Sequence, residues 1–259
     1  MTQQHSSVSN SEGRAPKGVV LADLTWLQAE KLFDENTVVV IPIGAEAKEH
    51  GPHLLLKNDL LIAEYFAGRL VAESEIVLAP TLNYNYYPAF TEYPGSTTLR
   101  LETARDLMVD ICTSLARHGP RRFYALNTGV STNRALEPAV EILACQGIHL
   151  GFTDLRSFEK LEQGVGEQEG GTHADEIETS MMLIIAPWSV DMSKAVCDYN
   201  PRPGGGLTRF EDRPGSYSPS GVFGDATLAS VEKGEVVVEA YVGQLLKDVE
   251  AVRTAVLPG

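Results

Sequence analysis

The stretch NTVVVIPIG, from Asn36 to Gly44, is an apolar and β-branched run that ends on a glycine. Its length and composition predict a strand that is buried on both faces, as strands are in a parallel sheet. Directly after it comes AKEHGPHLLLKND, from Ala47 to Asp59, which gathers histidines, acids and lysines around a Gly-Pro pair. These polar groups follow the carboxyl end of the predicted strand, where open parallel sheets commonly bind ligands.

Strand-like and helix-like segments alternate through the rest of the chain. Apolar runs predict further strands over 75–82, 122–127 and 148–155. Helical spacing of apolar residues predicts helices over 59–73, 101–118, 133–146, 173–186 and 235–256. This alternation is typical of βαβ units, so we predict an α/β fold in which helices flank a mainly parallel sheet.

Length and composition indicate one globular domain. The chain has 259 residues, of which 43% are hydrophobic, and this suffices for a single large core. We expect residues 19–259 to form that domain and the polar residues 1–18 to be a disordered tail. No apolar run approaches the roughly 20 residues that a membrane span requires.

Charge and cysteine content restrict the partners and the compartment. The formal net charge is −14, which argues against nucleic acid and against an anionic membrane surface as binding partners. The three cysteines are widely spaced and form no CxxC pair. We therefore predict reduced thiols and a cytoplasmic protein.

Two further polar segments are predicted to reach the same edge of the sheet as the first. NTGVSTN, from Asn127 to Asn133, follows a predicted strand, and GGTHADEIETS, from Gly170 to Ser180, leads into a predicted helix. We expect the three segments to line one crevice.

The first polar stretch carries the residue types of a metal site. Imidazole and carboxylate groups at close range bind Zn²⁺ or Mn²⁺, and Glu49, His50, His53 and Asp59 supply both.

The third segment holds a candidate acid/base pair. In the predicted helix, Glu176 lies one turn after His173 and shares its face, whereas Glu178 lies further round. The alternative is a helix cap with solvated acids near the positive helix end.

A tyrosine-rich loop, NYNYYPAFTEY over 83–93, lies between the first two polar segments. Aromatic faces with hydroxyl tips suit a small polar ring, so Tyr87 and Tyr93 are candidate substrate-binding residues. The alternative is a packing loop or a subunit contact.

These motifs together resemble the creatininase family of amidohydrolases. The family has G-x-x-E-x-H-G-x-H followed six residues later by Asp, where this chain has IPIGAEAKEHGPHLLLKND. It later has PGT-x-S-L, N-G-H-x-x-N and HAG-x-x-ETS-x-ML. This chain has YPGSTTL, LNTGVSTN and HADEIETSMML in the same order.

The resemblance implies a layered α/β/α fold, usually assembled as a hexamer, so we expect a homo-oligomer. It also implies two divalent ions that share an aspartate and activate a water, which attacks the carbonyl of a small cyclic amide. His50 matches a metal histidine and Asp59 the bridging aspartate. His173 matches a substrate-binding or acid/base histidine, and Glu178 matches the glutamate of the ETS motif.

Three positions depart from the family pattern. Lys48 stands where a metal-binding glutamate is expected, Gly129 replaces a histidine, and Ser131 falls where some members place an acidic ligand. One hypothesis keeps a single Zn²⁺ or Mn²⁺ on Glu49, His50 and Asp59, with His173 as an optional fourth ligand, and we favour it. A second puts the Lys48 ammonium in place of an ion, paired with Asp59 as an acid/base group, and a third keeps two ions. The segment from Gly44 to His50 is also one residue longer than in the family pattern. In this segment Glu49, or less favourably Glu46, is the candidate to supply the missing carboxylate.

The predicted function is metal-dependent hydrolysis of a small cyclic amide, or another non-peptide C–N bond, by an activated water. Lys48, His173, Glu176 and Glu178 are the catalytic candidates. Asn127, Thr128 and Ser131 are predicted to line the pocket and to donate hydrogen bonds to a developing oxyanion. The alternatives are ring opening of a cyclic ketone or lactone, such as a sugar or inositol derivative, and a homologue that binds a small ligand without turnover.

Overall fold

A computed structural model of the chain describes residues 15–204 and 206–259. The predicted tail over 1–18 therefore lies largely outside the described residues, and the single domain over 19–259 stays a prediction. Within the described ranges, no helix combines the length and the apolar character that crossing a membrane would require.

The centre of the fold is a five-stranded parallel sheet with the strand order β1-β3-β2-β4-β5. Its strands are β1 (Val19–Val20), β2 (Val38–Ile43), β3 (Val77–Leu78), β4 (Arg122–Asn127) and β5 (His149–Phe152). All four pairings are parallel. The predicted parallel sheet is confirmed, although β3 is much shorter than the predicted segment and the edge strand β1 had no signal in the sequence.

Seven α-helices surround this sheet in the described part of the chain. They are α1 (Trp26–Leu32), α2 (Asn58–Glu73), α3 (Leu101–Ala116), α4 (Asn133–Ala144), α5 (Glu159–Val165), α6 (Glu176–Ile185) and α7 (Val231–Thr254). Five of them correspond to predicted helices, whereas α1 and α5 were not predicted. Short strand pairs in the 197–225 region are β6 (Cys197–Asp198) with β9 (Gly224–Asp225) and β7 (Leu207–Thr208) with β8 (Ser216–Tyr217).

The side chains of β2 divide the core into two layers. Val38 and Val40 pack into the cluster formed with α2, α6 and α7. Val39 and Ile41 pack into the cluster on the other face, with α3 and α4. Because both faces of the strand are covered, its apolar run is continuous rather than alternating. Full burial of each such side chain contributes about 1.5–3 kcal/mol to folding.

The carboxyl ends of β2 and β4 lie side by side, since Ile43 is in register with Asn127. The segments that leave these two strands therefore emerge at neighbouring points, and the predicted active-site edge of the sheet lies there.

Candidate active site

One cavity of about 500 Å³ lies beyond β2 and β4, and its lining includes Lys48, Asn127, His173 and Glu178. These residues come from the three polar segments of the sequence, so the predicted convergence of those segments is confirmed.

Two glycines shape the path from β2 to α2. A Cβ on Gly44 would overlap the Asp59 carbonyl and would lie 2.7 Å from the Cβ of Ala63. Glycine thus lets the end of β2 approach the first turn of α2, and this contact places Asp59 at the exit of the strand. Gly51 has a φ of 69°, in the left-handed region, within the predicted Gly-Pro turn.

Lys48 and Asp59 form a buried ion pair. The Lys48 Nζ lies 2.6 Å from Asp59 Oδ2, and the two side chains are 6% and 1% exposed. The ammonium also faces the Phe90 ring, at 4.8 Å from its centroid. Burial raises the pKa of the Asp59 carboxyl, but Lys48 and then His50 outweigh burial and hold this pKa well below its usual range. The carboxylate is thus ionised, and it holds the Lys48 Nζ at the edge of the cavity.

His50 has its tautomer set by the backbone. Its Nδ1 lies 2.9 Å from the Lys48 carbonyl oxygen, which only accepts, so Nδ1 carries a proton. Its Nε2 then points at two carboxylates, at 2.7 Å from Asp59 Oδ1 and 3.5 Å from Glu178 Oε1. Burial lowers the pKa of His50, but the Asp59 and Glu178 charges overcome it, so that the pKa is raised. A positive charge, either a proton or a metal ion, therefore belongs at Nε2.

His173 has the opposite arrangement of its ring nitrogens. Its Nε2 lies 3.0 Å from the Glu49 carbonyl oxygen and 3.1 Å from Glu49 Oε2, so Nε2 is the nitrogen that donates. Its Nδ1 lies 3.8 Å from Glu178 Oε2. In the neutral imidazole, the lone pair on Nδ1 thus faces the same carboxylate as His50 Nε2.

Glu178 is held between the two histidines. Asn58 Nδ2 donates to its Oε1 at 2.9 Å, and the Ala174 backbone N–H donates to its Oε2 at 2.7 Å. Burial raises the pKa of Glu178, but His50 and then His173 act more strongly together, and the pKa is lowered. Ala174 has a φ of 48°, unusual for alanine, which marks the turn between His173 and α6 as a strained position.

These three side chains have the donor set of a single metal site. Ligand atoms of His50, His173 and Glu178 lie within 4.8 Å of one another. Each histidine bonds the backbone through one ring nitrogen and offers the other nitrogen to the site, which is the usual arrangement of metal-ligating histidines. Two imidazoles and a carboxylate suit Zn²⁺ or Mn²⁺. The residues therefore fit one divalent ion.

A second ion does not fit on the other side of Asp59. Lys48 Nζ already contacts Asp59 Oδ2, and an ammonium and a dication a few Å apart repel strongly in a buried site. The hypothesis of two ions is therefore disfavoured by this geometry.

The predicted ligand set is not gathered around one point. The Glu49 carboxylate accepts from the Gly51 N–H and contacts His173, so it orients that ring instead of joining Asp59. Asp59 is engaged by Lys48 and His50. Glu46, the other carboxylate considered, accepts from Asn83 in an exposed pair.

The placement of Glu176 differs from the prediction. Helix α6 begins at Glu176, with Asp175 as its N-cap, so His173 lies before the helix and shares no face with Glu176. The Glu176 carboxylate accepts from the backbone N–H groups of Glu167 and Gln168 and contacts the Lys233 ammonium. The Glu176 carboxylate therefore stabilises the loop before α6. Of the two glutamates, only Glu178 lies beside His173.

The predicted oxyanion donors are mostly occupied. Asn127 and Thr128 line the cavity. However, the Asn127 amide donates to Gly129, Asn133 and Thr153, and the Thr128 hydroxyl donates to the Ile43 carbonyl. Ser131 lines the cavity as well, and the described residues give its hydroxyl no hydrogen bond.

The two tyrosines have different surroundings. Tyr87 lines the cavity, and its ring centroid lies 5.7 Å from Lys48 Nζ. Among the described residues its buried hydroxyl has no hydrogen-bond partner. Tyr93 donates to the Ser218 carbonyl at 2.7 Å and is absent from the cavity lining, so it is a packing residue of its loop.

Sequence reasoning missed the role of Asn58, which positions Glu178. Asn58 lies next to Asp59 at the start of α2, and this position in the sequence could have indicated that it belongs to the site. His53, a member of the predicted cluster, bonds Thr179 Oγ1 at 2.8 Å, and burial lowers its pKa to about 4. It therefore packs against α6 as a neutral side chain.

Comparisons with known proteins agree with this arrangement. The family model Creatininase, described as creatinine amidohydrolase, matches residues 22–249. A creatinine amidohydrolase from Pseudomonas putida is 27% identical over 246 residues, which cover 87% of this chain and 94% of that protein. A 3-dehydro-scyllo-inosose hydrolase from Thermotoga maritima is 25% identical, over 90% of this chain and 84% of that protein.

A solved structure described as creatininase with Mn superposes on this chain with a TM-score of 0.76 at 25% identity, covering 92% of this chain and all of that one. The fold is thus shared along nearly the whole chain. The chain belongs to the creatininase family.

Proposed function

We propose that this protein is a hydrolase that opens a small cyclic amide at its C–N bond with one divalent metal ion. The observation that carries the proposal is the pairing of the buried Lys48 ammonium with Asp59 beside the donor set of His50, His173 and Glu178. Of these residues, Lys48, His173 and Glu178 line one cavity. Membership of a family whose named relatives are hydrolases supports the reaction class.

His50, His173 and Glu178 would hold the ion. A Zn²⁺ or Mn²⁺ ion bound there supplies Lewis-acid chemistry and lowers the pKa of a coordinated water. Two backbone carbonyls orient the histidine rings toward this site. The Lys48 carbonyl accepts a hydrogen bond from His50 Nδ1–H, and the Glu49 carbonyl accepts one from His173 Nε2–H.

Lys48 supplies the second positive charge of the site. Its ammonium has three N–H donors, and its Nζ forms an ion pair with Asp59 Oδ2. Since Lys48 also lines the cavity, a further N–H can donate to the substrate carbonyl oxygen as negative charge develops there. Asp59 keeps the donor in place, and the faces of Phe90 and Tyr87 limit its movement.

Ring opening of a cyclic ketone, such as an inositol derivative, is the second candidate reaction. The similarity to an inosose hydrolase favours it, and a polarised carbonyl would serve both reactions. A homologue that binds a small ligand without turnover is the alternative of a different class.

The test is a substrate panel with the zinc-loaded or manganese-loaded protein. Hydantoin, creatinine and dihydrouracil represent cyclic amides, and 1,3-cyclohexanedione represents the cyclic ketones. We expect metal-dependent opening of a cyclic amide. In Lys48→Met, kcat should fall about 10²–10³-fold, as when one oxyanion donor is removed. Circular dichroism checks that the variant is folded.

Lys57→Met is the matched control, because Lys57 lies over the Trp188 ring and outside the cavity lining. It should keep the parent kcat. Opening of the diketone alone would favour the second reaction, and binding without any turnover would favour the ligand-binding homologue. An unchanged kcat in Lys48→Met would contradict the role given to this residue.

A further inference from the structure

The cavity extends well beyond the polar site into the layer formed by α2, α6 and α7. Its walls there are apolar side chains that are themselves nearly inaccessible to solvent, among them Phe66, Met181, Tyr241 and Leu245. We call this part the apolar arm. A volume of about 500 Å³ falls in the range of cavities that hold ligands larger than a single small ring.

The walls of the apolar arm pack against one another. The Tyr241 ring stacks on Phe158 at 3.7 Å between centroids and lies parallel to the Phe66 ring at 5.7 Å. Tyr241 and Leu245 lie one turn apart on α7 and so face the same space. Stacked rings fixed on helices offer a preformed surface to an apolar group.

A carboxyl group lies in this arm. Glu162 lines the cavity and accepts a hydrogen bond from the Tyr241 hydroxyl through Oε1. Within the described residues, this is the one hydrogen bond that its carboxyl group makes. Burial raises the pKa of Glu162, as do the nearby charges of Asp175 and Glu178. An acid in such surroundings is stabilised by a cation or by a further hydrogen-bond donor.

We infer that the substrate is a cyclic amide whose ring carries an apolar substituent that ends in an amine. The ring would lie at Lys48, His173 and Glu178, the substituent would occupy the apolar arm, and the amine would bind Glu162. This inference rests on the proposed function and names its substrate class.

Three probes separate the parts of this inference: hydantoin, 5-butylhydantoin and 5-(4-aminobutyl)hydantoin. We expect kcat/KM to rise at least about tenfold from hydantoin to the butyl compound, because the alkyl group is buried in the arm. A further rise of about tenfold is expected for the aminobutyl compound, whose ammonium bonds a carboxylate. Calorimetric affinities of the metal-loaded protein should follow the same order.

Glu162→Gln should reduce the preference for the aminobutyl over the butyl compound by about tenfold, because the variant keeps the size of the side chain and loses its charge. Met181→Phe narrows the arm and should reduce the preference for butyl over unsubstituted hydantoin. Glu235→Gln, an exposed change on α7, is the control and should alter neither ratio.

Opening of all three probes with equal kcat/KM would overturn the inference and leave the proposed function standing. If the three probes bind with affinities in the expected order, and this order depends on Glu162, but none is turned over, the role of the apolar arm would be supported and the proposed hydrolysis would be overturned. Failure of all three probes to bind would overturn the inference.

Discussion

At the scale of single residues, Lys48 distinguishes this chain from the pattern of its family. In the sequence it stands where a metal-binding carboxylate is expected, and in the structure its ammonium forms an ion pair with the Asp59 carboxylate. A side chain thus occupies the place beside Asp59 Oδ2. His50 and Glu178 remain directed at a common point, where one ion fits.

The first prediction concerns the cost of breaking this pair. Asp59→Asn leaves the Lys48 ammonium buried without its carboxylate, so the free energy of unfolding should fall by about 3–5 kcal/mol. Urea denaturation of the metal-free proteins measures it. Asp191→Asn is the control, since Asp191 pairs with Lys194 at the surface and the change should stay within about 0.5 kcal/mol. Equal effects of the two substitutions would contradict the buried pair.

At the scale of elements, the two central strands and the long helices were predictable, because β2 and β4 are continuous apolar runs and α2, α3 and α7 have clear helical spacing. The start of α6 was not predicted correctly. Asp175 caps the helix through the N–H groups of Ile177 and Glu178, and Ala174 adopts a left-handed φ, so His173 lies outside the helix. Side-chain hydrogen bonds decide at which residue a helix begins, and the spacing of apolar residues in the sequence does not show them.

The convergence of the three polar segments was predictable, whereas the contacts of the individual side chains were not. Their convergence followed from the parallel sheet, and His50 and Asp59 do lie together. The orientation of Glu49 and Glu176 depended on partners distant in the sequence, His173 for one and Lys233 for the other. Such contacts are fixed by the tertiary structure, which a single sequence does not display.

The second prediction tests the contact between β2 and α2. Gly44→Ala forces a Cβ against the Asp59 carbonyl and should lower the free energy of unfolding by about 1–3 kcal/mol through overpacking. It should also weaken metal binding, because Asp59 and His50 are displaced together. Gly164→Ala in α5 is the matched control: nothing lies within 4 Å of the added Cβ. There the change should stabilise the helix by about 0.8–1 kcal/mol. Denaturant unfolding distinguishes the two.

The third prediction concerns pH and the pairing of β4 with β5. Burial, and then the Arg122 charge, lowers the pKa of His149 below its ordinary value of about 6.5. The folded protein therefore binds this proton less readily than the unfolded chain does. The contribution to stability is present above about pH 6.5 and is lost as the pH falls through the folded pKa.

Unfolding free energies of the parent and of His149→Gln, measured above and below this pH, give the test. The variant should lose less stability than the parent on acidification. An identical pH dependence would show that His149 does not contribute.

At the scale of the whole molecule, two packed layers enclose a parallel sheet, and chemistry is concentrated where β2 and β4 end. The net charge of −14 argues against nucleic acid as a binding partner, and this stays a prediction. Assembly as a homo-oligomer, a hexamer by family resemblance, stays a prediction, as does a cytoplasmic location. Exposed Trp26 and Trp188 are candidates for subunit contacts.

The number of metal ions per chain tests the central claim most directly. Protein loaded with Zn²⁺, desalted and analysed by mass spectrometry of its metal content should hold one ion per chain. Glu178→Gln should hold none, whereas Glu176→Gln, two residues away on the same helix, should keep the ion. Two ions per chain in the parent, or full retention of the ion by Glu178→Gln, would contradict a single-ion site completed by Lys48.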